Sequence, residues 1–227
     1  VSQGFIGGND DHLTTTLGRE GSDFSGAIFA YALGAEDLTI WKDVPGLLNA
    51  DPKYFDNTKL IEKISYKETI ELAFYGASII HPKTIKPLQN KGIPLYVKSF
   101  VDPKSRGSVI QQNRDEDSKS SSIIVKRKQV LISISARDFS FVDENTISII
   151  YARLAEQGIK VNLMQNSAIS LSICVDQQDD KIATFIVELK DQFKIRFNEN
   201  LELITIRYYD DEKIKQLISD KEVLLEQ

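Results

Sequence analysis

Thr14-Thr15-Thr16-Leu17-Gly18-Arg19-Glu20-Gly21-Ser22-Asp23, running into the apolar segment 24–33, decides the reading of this chain. It sets an arginine, a hydroxyl and a carboxylate within five positions, on a glycine-punctuated turn at the start of a helix. Gly18 and Gly21 admit backbone conformations closed to other residues and let the chain approach a ligand closely. Ser22 or Asp23 is placed to cap the helix, leaving free N–H groups and the positive dipole end beside a bound anion. Arg19 adds a planar fork that matches a carboxylate or a phosphate. Taken alone, the turn reads equally as an anion-handling site and as an ordinary Ser-Asp helix start.

Three further runs follow. They are Trp41-Lys42-Asp43-Val44-Pro45-Gly46-Leu47-Leu48-Asn49-Ala50-Asp51-Pro52-Lys53, Phe74-Tyr75-Gly76-Ala77 and His81-Pro82-Lys83-Thr84. In this order and spacing they resemble the C-terminal half of the aspartokinase catalytic domain, of the amino-acid kinase superfamily. The usual forms there are T-T-L-G-R-G-G-S-D, W-T-D-V-D-G-I-x-x-x-D-P-R and G-A-x-V-L-H-P-x-T. The resemblance covers roughly residues 4–110, and a segment similar to ACT regulatory domains follows it.

The pattern along the chain agrees with an α/β protein. An apolar helix over 23–33 closes at Gly34, and 38–41 reads as a buried strand. Ser65-Tyr66-Lys67-Glu68 is a capping box opening a helix that ends near Gly76. Pro82 begins another helix, closed by Gly92, and 94–100 returns as a strand. Strands alternating with helices imply a mostly parallel sheet covered on both faces, here a partial amino-acid-kinase fold. The polar stretch 115–122 has no apolar periodicity and reads as a linker. Beyond it a strand around Val130, Ile132 and Ile134, a helix from Ile147 to Ala155, strands at 161–164 and 171–175, a helix from Ile182 to Phe193 and a strand at 194–197 give the ferredoxin-like order βαββαβ. Segments 201–209 and 214–218 then read as the start of a second such unit. The expected domains are 1–112 for the kinase half, 113–122 for the linker, 123–199 for the first ACT unit and 200–227 for the start of a second.

Composition excludes some classes and selects none. Hydrophobic content of 41% and charged content of 27% are those of an ordinary globular chain. A net charge of −5 and the lack of a lysine or arginine block argue against nucleic acid as partner. The single cysteine, Cys174, lies in an alternating apolar run and reads as a buried structural thiol. No apolar run reaches transmembrane length and no signal peptide is visible, so no membrane is expected and the cytoplasm is the default location. Val1 is not methionine, and the lysine motif K-F-G-G-[ST] that aspartokinases carry upstream is absent. The 227 residues are therefore expected to be a truncated piece that is not competent alone.

The resemblance implies transfer of the ATP γ-phosphoryl group to the side chain of L-aspartate, giving ADP and 4-phospho-L-aspartate. That is the first step of lysine, threonine and methionine biosynthesis. Nucleophile and electrophile are both anionic, so catalysis must rest on positioning and charge neutralisation. By the same resemblance Arg19 clamps the substrate carboxylate, Ser22 assists it, and Asp23 organises the active-site lysines. Asp23 also reads as a plain helix cap. Glu20 replaces the commoner glycine of the family turn, and its side chain is expected to point away from the anionic substrate. For ATP, the family positions fall on Lys42, Asp43, Leu48, Lys53 and Lys83. Lys42 lacks the usual hydroxyl, Leu48 the usual ring and Lys53 the bidentate fork. Mg2+ would arrive with the nucleotide phosphates, since no cluster has the spacing of a protein metal site. His81 reads as structural, because Pro82 starts a helix beside it and no triad partner stands near, and His12 as a surface residue.

ACT units of this family pair across a subunit interface and bind an amino acid between the first helix and the next strand. The resemblance assigns that role to Val161, Asn162, Ser167 and Ala168, facing the loop 140–145, and implies a homodimer. Lysine-sensing relatives often carry an aspartate at the Asn162 position and a glutamate at the Ala168 position. This chain has neither, although Asp138, Asp143 and Glu144 could supply charge. Lysine is expected slightly ahead of threonine as effector. Asn162 and Ser167 also read as groups that satisfy strand-end backbone, an alternative set behind the effector role. The rival from another class is a non-catalytic, amino-acid-binding dimerisation module. A glutamate or acetylglutamate kinase is disfavoured by the Trp41-Lys42-Asp43 and Asp51-Pro52 run with ACT units behind it.

Overall fold

The computed structural model describes residues 2–77, 80–115, 117, 121–138, 140–209 and 211–227, with the side chains of 212 and 213 left aside. The chain divides into two compact units, 1–124 with 205–219, and 125–204 with 220–227.

In the first unit a hairpin of β1 (Ile6–Gly8) and β2 (Thr14–Thr16) precedes α1 (Gly21–Leu33). The main sheet is built from β3 (Leu38–Lys42), β4 (Lys63–Ser65), β5 (Leu95–Ser99) and β6 (Ser108–Gln111) in the order β3-β5-β6-β4. The pairs β3/β5 and β4/β6 are parallel, and β5/β6 is antiparallel. Helices α2 (Tyr66–Tyr75) and α3 (Pro82–Lys91) fall where the capping box and Pro82 set them. Ala27, Ile40, Ile64, Leu72, Ile85, Leu88, Leu95, Val97 and Ile110 share one core. The capping box is only half formed. Ser65 Oγ accepts from the Glu68 N–H at 3.0 Å, but the Ser65 N–H donates to Asp117 Oδ1 at 2.7 Å instead of to Glu68. Gly46 has φ 147, and a Cβ there would stand 2.6 Å from Ser108 Oγ. Only glycine fits this turn, which lets the Leu47 N–H donate to Ser108 Oγ at 2.8 Å.

The second unit runs β7 (Ser122–Ala136), α4 (Glu144–Glu156), β8 (Val161–Asn166), β9 (Ser170–Asp176), α5 (Asp179–Leu189) and β10 (Phe193–Arg207). The sheet order β10-β7-β9-β8 is the ferredoxin-like one. Val130, Ile132, Ile134, Leu171, Ile173 and Val175 form the sheet side of its core, and Ile150, Leu154, Ile182 and Phe185 the helix side. The last helix, α6 (Asp211–Ile218), groups with the first unit.

Two expectations about boundaries differ from this. The expected strands at 194–197 and 201–209 are one strand, because Asn200 takes up the polar interruption with φ 57 while its N–H donates to Gln177 Oε1 at 3.3 Å. Residues 205–219, read as part of a second ferredoxin-like unit, group with the first unit. Residues 116 and 118–120 of the expected linker lie outside the described residues.

Candidate active site

The carboxyl ends of parallel strands are where α/β sheets hold ligands, since helix starts and flexible loops gather there. At that edge β3 ends on Lys42 and β5 on Ser99, and the Phe100 N–H donates to the Lys42 carbonyl at 2.9 Å. Lys42 Nζ reaches Asp23 Oδ2 at 2.9 Å, both side chains being about four-fifths buried at 21% and 16% exposure. The contact is an ion pair without hydrogen-bond geometry, so this carboxylate oxygen has no hydrogen-bond donor among the described residues. Asp23 lies in the first turn of α1, where the helix dipole favours a negative charge.

Neither Ser22 nor Asp23 caps α1, contrary to the sequence reading. The helix starts at Gly21, and its cap is Glu20 in the left-handed conformation, φ 57 and ψ 27, without a side-chain cap bond. This explains why glycine is the commoner residue at the position: a side chain there costs about 1–2 kcal/mol. The Glu20 carboxylate lies largely buried, with Oε1 4.0 Å from Arg19 Nε and Oε2 without a hydrogen-bond partner among the described residues. The αL demand was legible in the family's glycine, and the orphaned oxygen was not. The Arg19 side chain is 75% exposed, and Ser22 is exposed beside it.

The residues expected at the nucleotide are less closely gathered. Asp43 is exposed next to Lys42, and Leu48 is half-buried in an isolated bridge to Leu60. Lys53 is exposed, its N–H donating to Asp51 Oδ1 at 2.9 Å in a turn that the Asp-Pro-Lys run dictates. Lys83 is exposed in the first turn of α3, and its N–H donates to His81 Nδ1 at 3.1 Å. His81 is thus the cap of α3, which is structural work. Among the described residues no group of three or more His, Cys, Asp or Glu could hold a metal.

In the second unit the Val142 N–H donates to the Ala168 carbonyl at 2.9 Å, which joins the loop before α4 to the β8–β9 turn. Ser167 is occupied within that turn: its Oγ lies 2.8 Å from Ser170 Oγ and its N–H donates to the Ser170 carbonyl at 2.8 Å. Val161 is half-buried and Ala168 exposed. Asn162 is buried and spends its amide internally. Its Oδ1 accepts from Lys126 Nζ at 2.8 Å, and its Nδ2 donates to Gln129 Oε1 at 2.8 Å and to Asp176 Oδ1 at 2.9 Å. Gln129 Nε2 donates to the same Asp176 oxygen at 2.8 Å. Burial pushes the Asp176 carboxyl up, but the Gln129 and Asn162 amides with Lys126 and Lys160 outweigh it and hold the group below its ordinary value. Burial lowers Lys126 against the pull of Asp176. Cys174, beside Gln129, is pushed up to about 11 by burial and is no nucleophile at neutral pH. The sequence reading missed this network, because Gln129, Lys126 and Asp176 carry no motif.

Residues 1–99 match the family model of the amino acid kinase family. The chain is 30% identical over 213 residues to the lysine-sensitive aspartokinase 3 of Escherichia coli, covering 91% of this chain and 47% of that protein. The solved structure of E. coli aspartokinase III in complex with aspartate and ADP superposes with a TM-score of 0.75 at 28% identity, covering 96% of this chain and 51% of that one. Clostridium acetobutylicum aspartate kinase superposes at 0.82 with 26% identity, covering 99% and 55%. The chain therefore spans about half the length of each of these relatives. Motifs, fold and matches agree that the chain is a partial aspartokinase region, belonging with the amino acid kinases.

Proposed function

We propose that the enzyme of which this chain is a region transfers the γ-phosphoryl group of ATP to the side-chain carboxylate of L-aspartate. The observation that carries this reading is the Lys42–Asp23 ion pair at the carboxyl edge of the parallel strands, next to the exposed Arg19 fork. Arg19 and Ser22 hold the aspartate, and their exposure leaves both free to do so. Asp23 keeps Lys42 oriented, so that a cation stands fixed where phosphoryl charge develops and need not reorganise during transfer. Lys42, Asp43, Lys53 and Lys83 approach the nucleotide, with Leu48 contributing backbone or packing. Mg2+ bound to the phosphates would spread their charge and favour in-line attack by the aspartate oxygen.

The second unit is the feedback site in this reading, taking lysine or threonine at Val161, Asn162, Ser167 and Ala168 in a homodimer. Support comes from the Val142–Ala168 bond, which closes the effector loop on the hairpin, and from the lysine sensitivity named for the E. coli relative. Because the Asn162 amide is already committed, recognition there falls to backbone groups and neighbouring side chains. A purely non-catalytic binding module would leave the Lys42–Asp23 pair without a task. The test is a coupled ADP-release assay on the full-length enzyme with aspartate. Arg19→Ala should mainly raise the aspartate KM, and Asp23→Ala should mainly lower kcat. Unchanged kinetics in both variants would move the site elsewhere.

A further inference from the structure

The first turn of α2 gathers contacts that the phosphoryl-transfer site does not explain. Glu68 is 5% exposed, and a buried carboxylate demands a partner. Arg207 supplies it as a fork: Nε donates to Oε1 at 2.7 Å and Nη2 to Oε2 at 2.7 Å. The Tyr208 hydroxyl donates to the same Oε2 at 3.2 Å, and Arg207 Nη1 lies 3.7 Å from Glu71 Oε2. Tyr208 holds φ 52, a left-handed conformation that persists for a large side chain only where neighbours fix it. One residue before the turn, Ser65 donates its N–H to Asp117 Oδ1 at 2.7 Å. Glu68 therefore has its carboxylate diverted from closing the capping box, and Asp117 takes over that duty.

All these residues belong to the first unit, yet their places in the chain set them apart. Asp117 lies just before β7, through which the chain enters the second unit, and Arg207 ends β10, through which it returns. Two of the three covalent passages between the units, at 124/125 and 204/205, thus lie close along the chain to residues anchored on a single helical turn. A buried ion pair contributes little net stability compared with apolar residues of the same shape, and its better-attested use is to fix one arrangement against others. α2 in turn ends at Gly76, five residues before His81 and the start of α3 with Lys83.

We infer that the first turn of α2, clasped by Arg207 through Glu68 and by Asp117 through Ser65, is the relay by which the state of the second unit reaches the kinase half. This rests on the feedback reading given above. Glu68 and Arg207 are positioning residues, remote from the reacting atoms in their role.

The test is Arg207→Met combined with Glu68→Leu, which removes both charges and keeps the packing, alongside Arg207→Met alone. In this chain, amide hydrogen exchange of residues 66–72 and 205–218 should speed up about tenfold or more in Arg207→Met alone, which strands the buried Glu68 carboxylate, and should stay within about threefold of wild type in the double variant, with 171–175 unchanged in both. In the full-length enzyme, the amino-acid concentration giving half inhibition should rise about tenfold, while kcat without effector stays within about twofold of wild type. An inhibited wild type with an equally inhibited double variant overturns the relay and leaves the feedback reading standing. A wild type that no amino acid inhibits overturns both. If Arg207→Met alone fails to fold, the charge-free pair still decides.

Discussion

Two polar clusters in this molecule use similar residues and are completed to different degrees. In the first unit Lys42 and Asp23 meet at 2.9 Å, but Asp23 Oδ2 has no hydrogen-bond donor among the described residues, and neither has Glu20 Oε2 in the same turn. In the second unit Lys126, Gln129, Asn162 and Asp176 close on one another through four hydrogen bonds of 2.8–2.9 Å. Buried polar groups in folded proteins are normally paired, so an under-satisfied cluster holds capacity for something else, and a saturated one holds the fold. The first cluster has the character of a site, the second that of a joint.

The largest expected effect would break this contrast if it failed. Asp23→Ala in the full-length enzyme should lower kcat about 10²-fold or more, because a preorganised cation loses its orientation. Its thermal unfolding midpoint should move less than that of Asn162→Leu, since the Lys42 side chain, 21% exposed, can turn its ammonium to solvent once Asp23 is gone. A large loss of stability with kcat intact would make the first cluster a joint as well.

The converse applies to Asn162→Leu. It leaves the Gln129 carbonyl with only the weak Cys174 thiol as donor, removes one of the two amide donors to Asp176 and takes the acceptor from Lys126, so a destabilisation of about 2–3 kcal/mol is expected in urea unfolding. A cost near zero would show that the network carries no structure and that Asn162 is held in reserve for a ligand.

Acid sharpens the same comparison. Asp176 is held below its ordinary value, so its contribution to stability is present above the unfolded value, near pH 4, and is lost as pH falls through the lower folded value. Denaturant unfolding between about pH 5 and about pH 2 should show this loss, and Asp176→Asn should flatten it. An identical acid slope in the variant would remove Asp176 from the joint.

The smallest effect concerns the first cluster's turn. Glu20→Gly relieves a left-handed side chain and a buried carboxylate with an orphaned oxygen, offset by the entropy glycine loses on folding. A gain of about 1 kcal/mol is expected by thermal unfolding. A loss instead would mean that the Glu20 carboxylate is held by groups that the turn itself does not supply.

The sequence was most informative where one residue type answers one local demand. Ser65 and Pro82 marked α2 and α3, Gly34, Gly76 and Gly92 marked helix ends, and alternation at Val130, Ile132 and Ile134 marked the second sheet. It was least informative where a demand is met from far along the chain. Glu68 was read as the partner of Ser65, three residues away, and its partner is Arg207, separated from it by 139 positions. The same holds for β4 and β6, short strands recognisable only by their pairing. The candidate site residues rest on the ordered motifs, whereas the committed amide of Asn162 had no local signal, since Lys126 and Gln129 lie more than thirty positions away.

Cys174 gives this molecule a built-in chemical clock. Its thiol is 5% exposed, lies against Gln129 and ionises only near pH 11, so in the closed second sheet it is screened from a thiol-specific reagent and holds almost no thiolate. Labelling must then wait for β7 and β9 to part, and its rate counts those openings. As the only cysteine in these 227 residues, it reports on that sheet without any engineered probe.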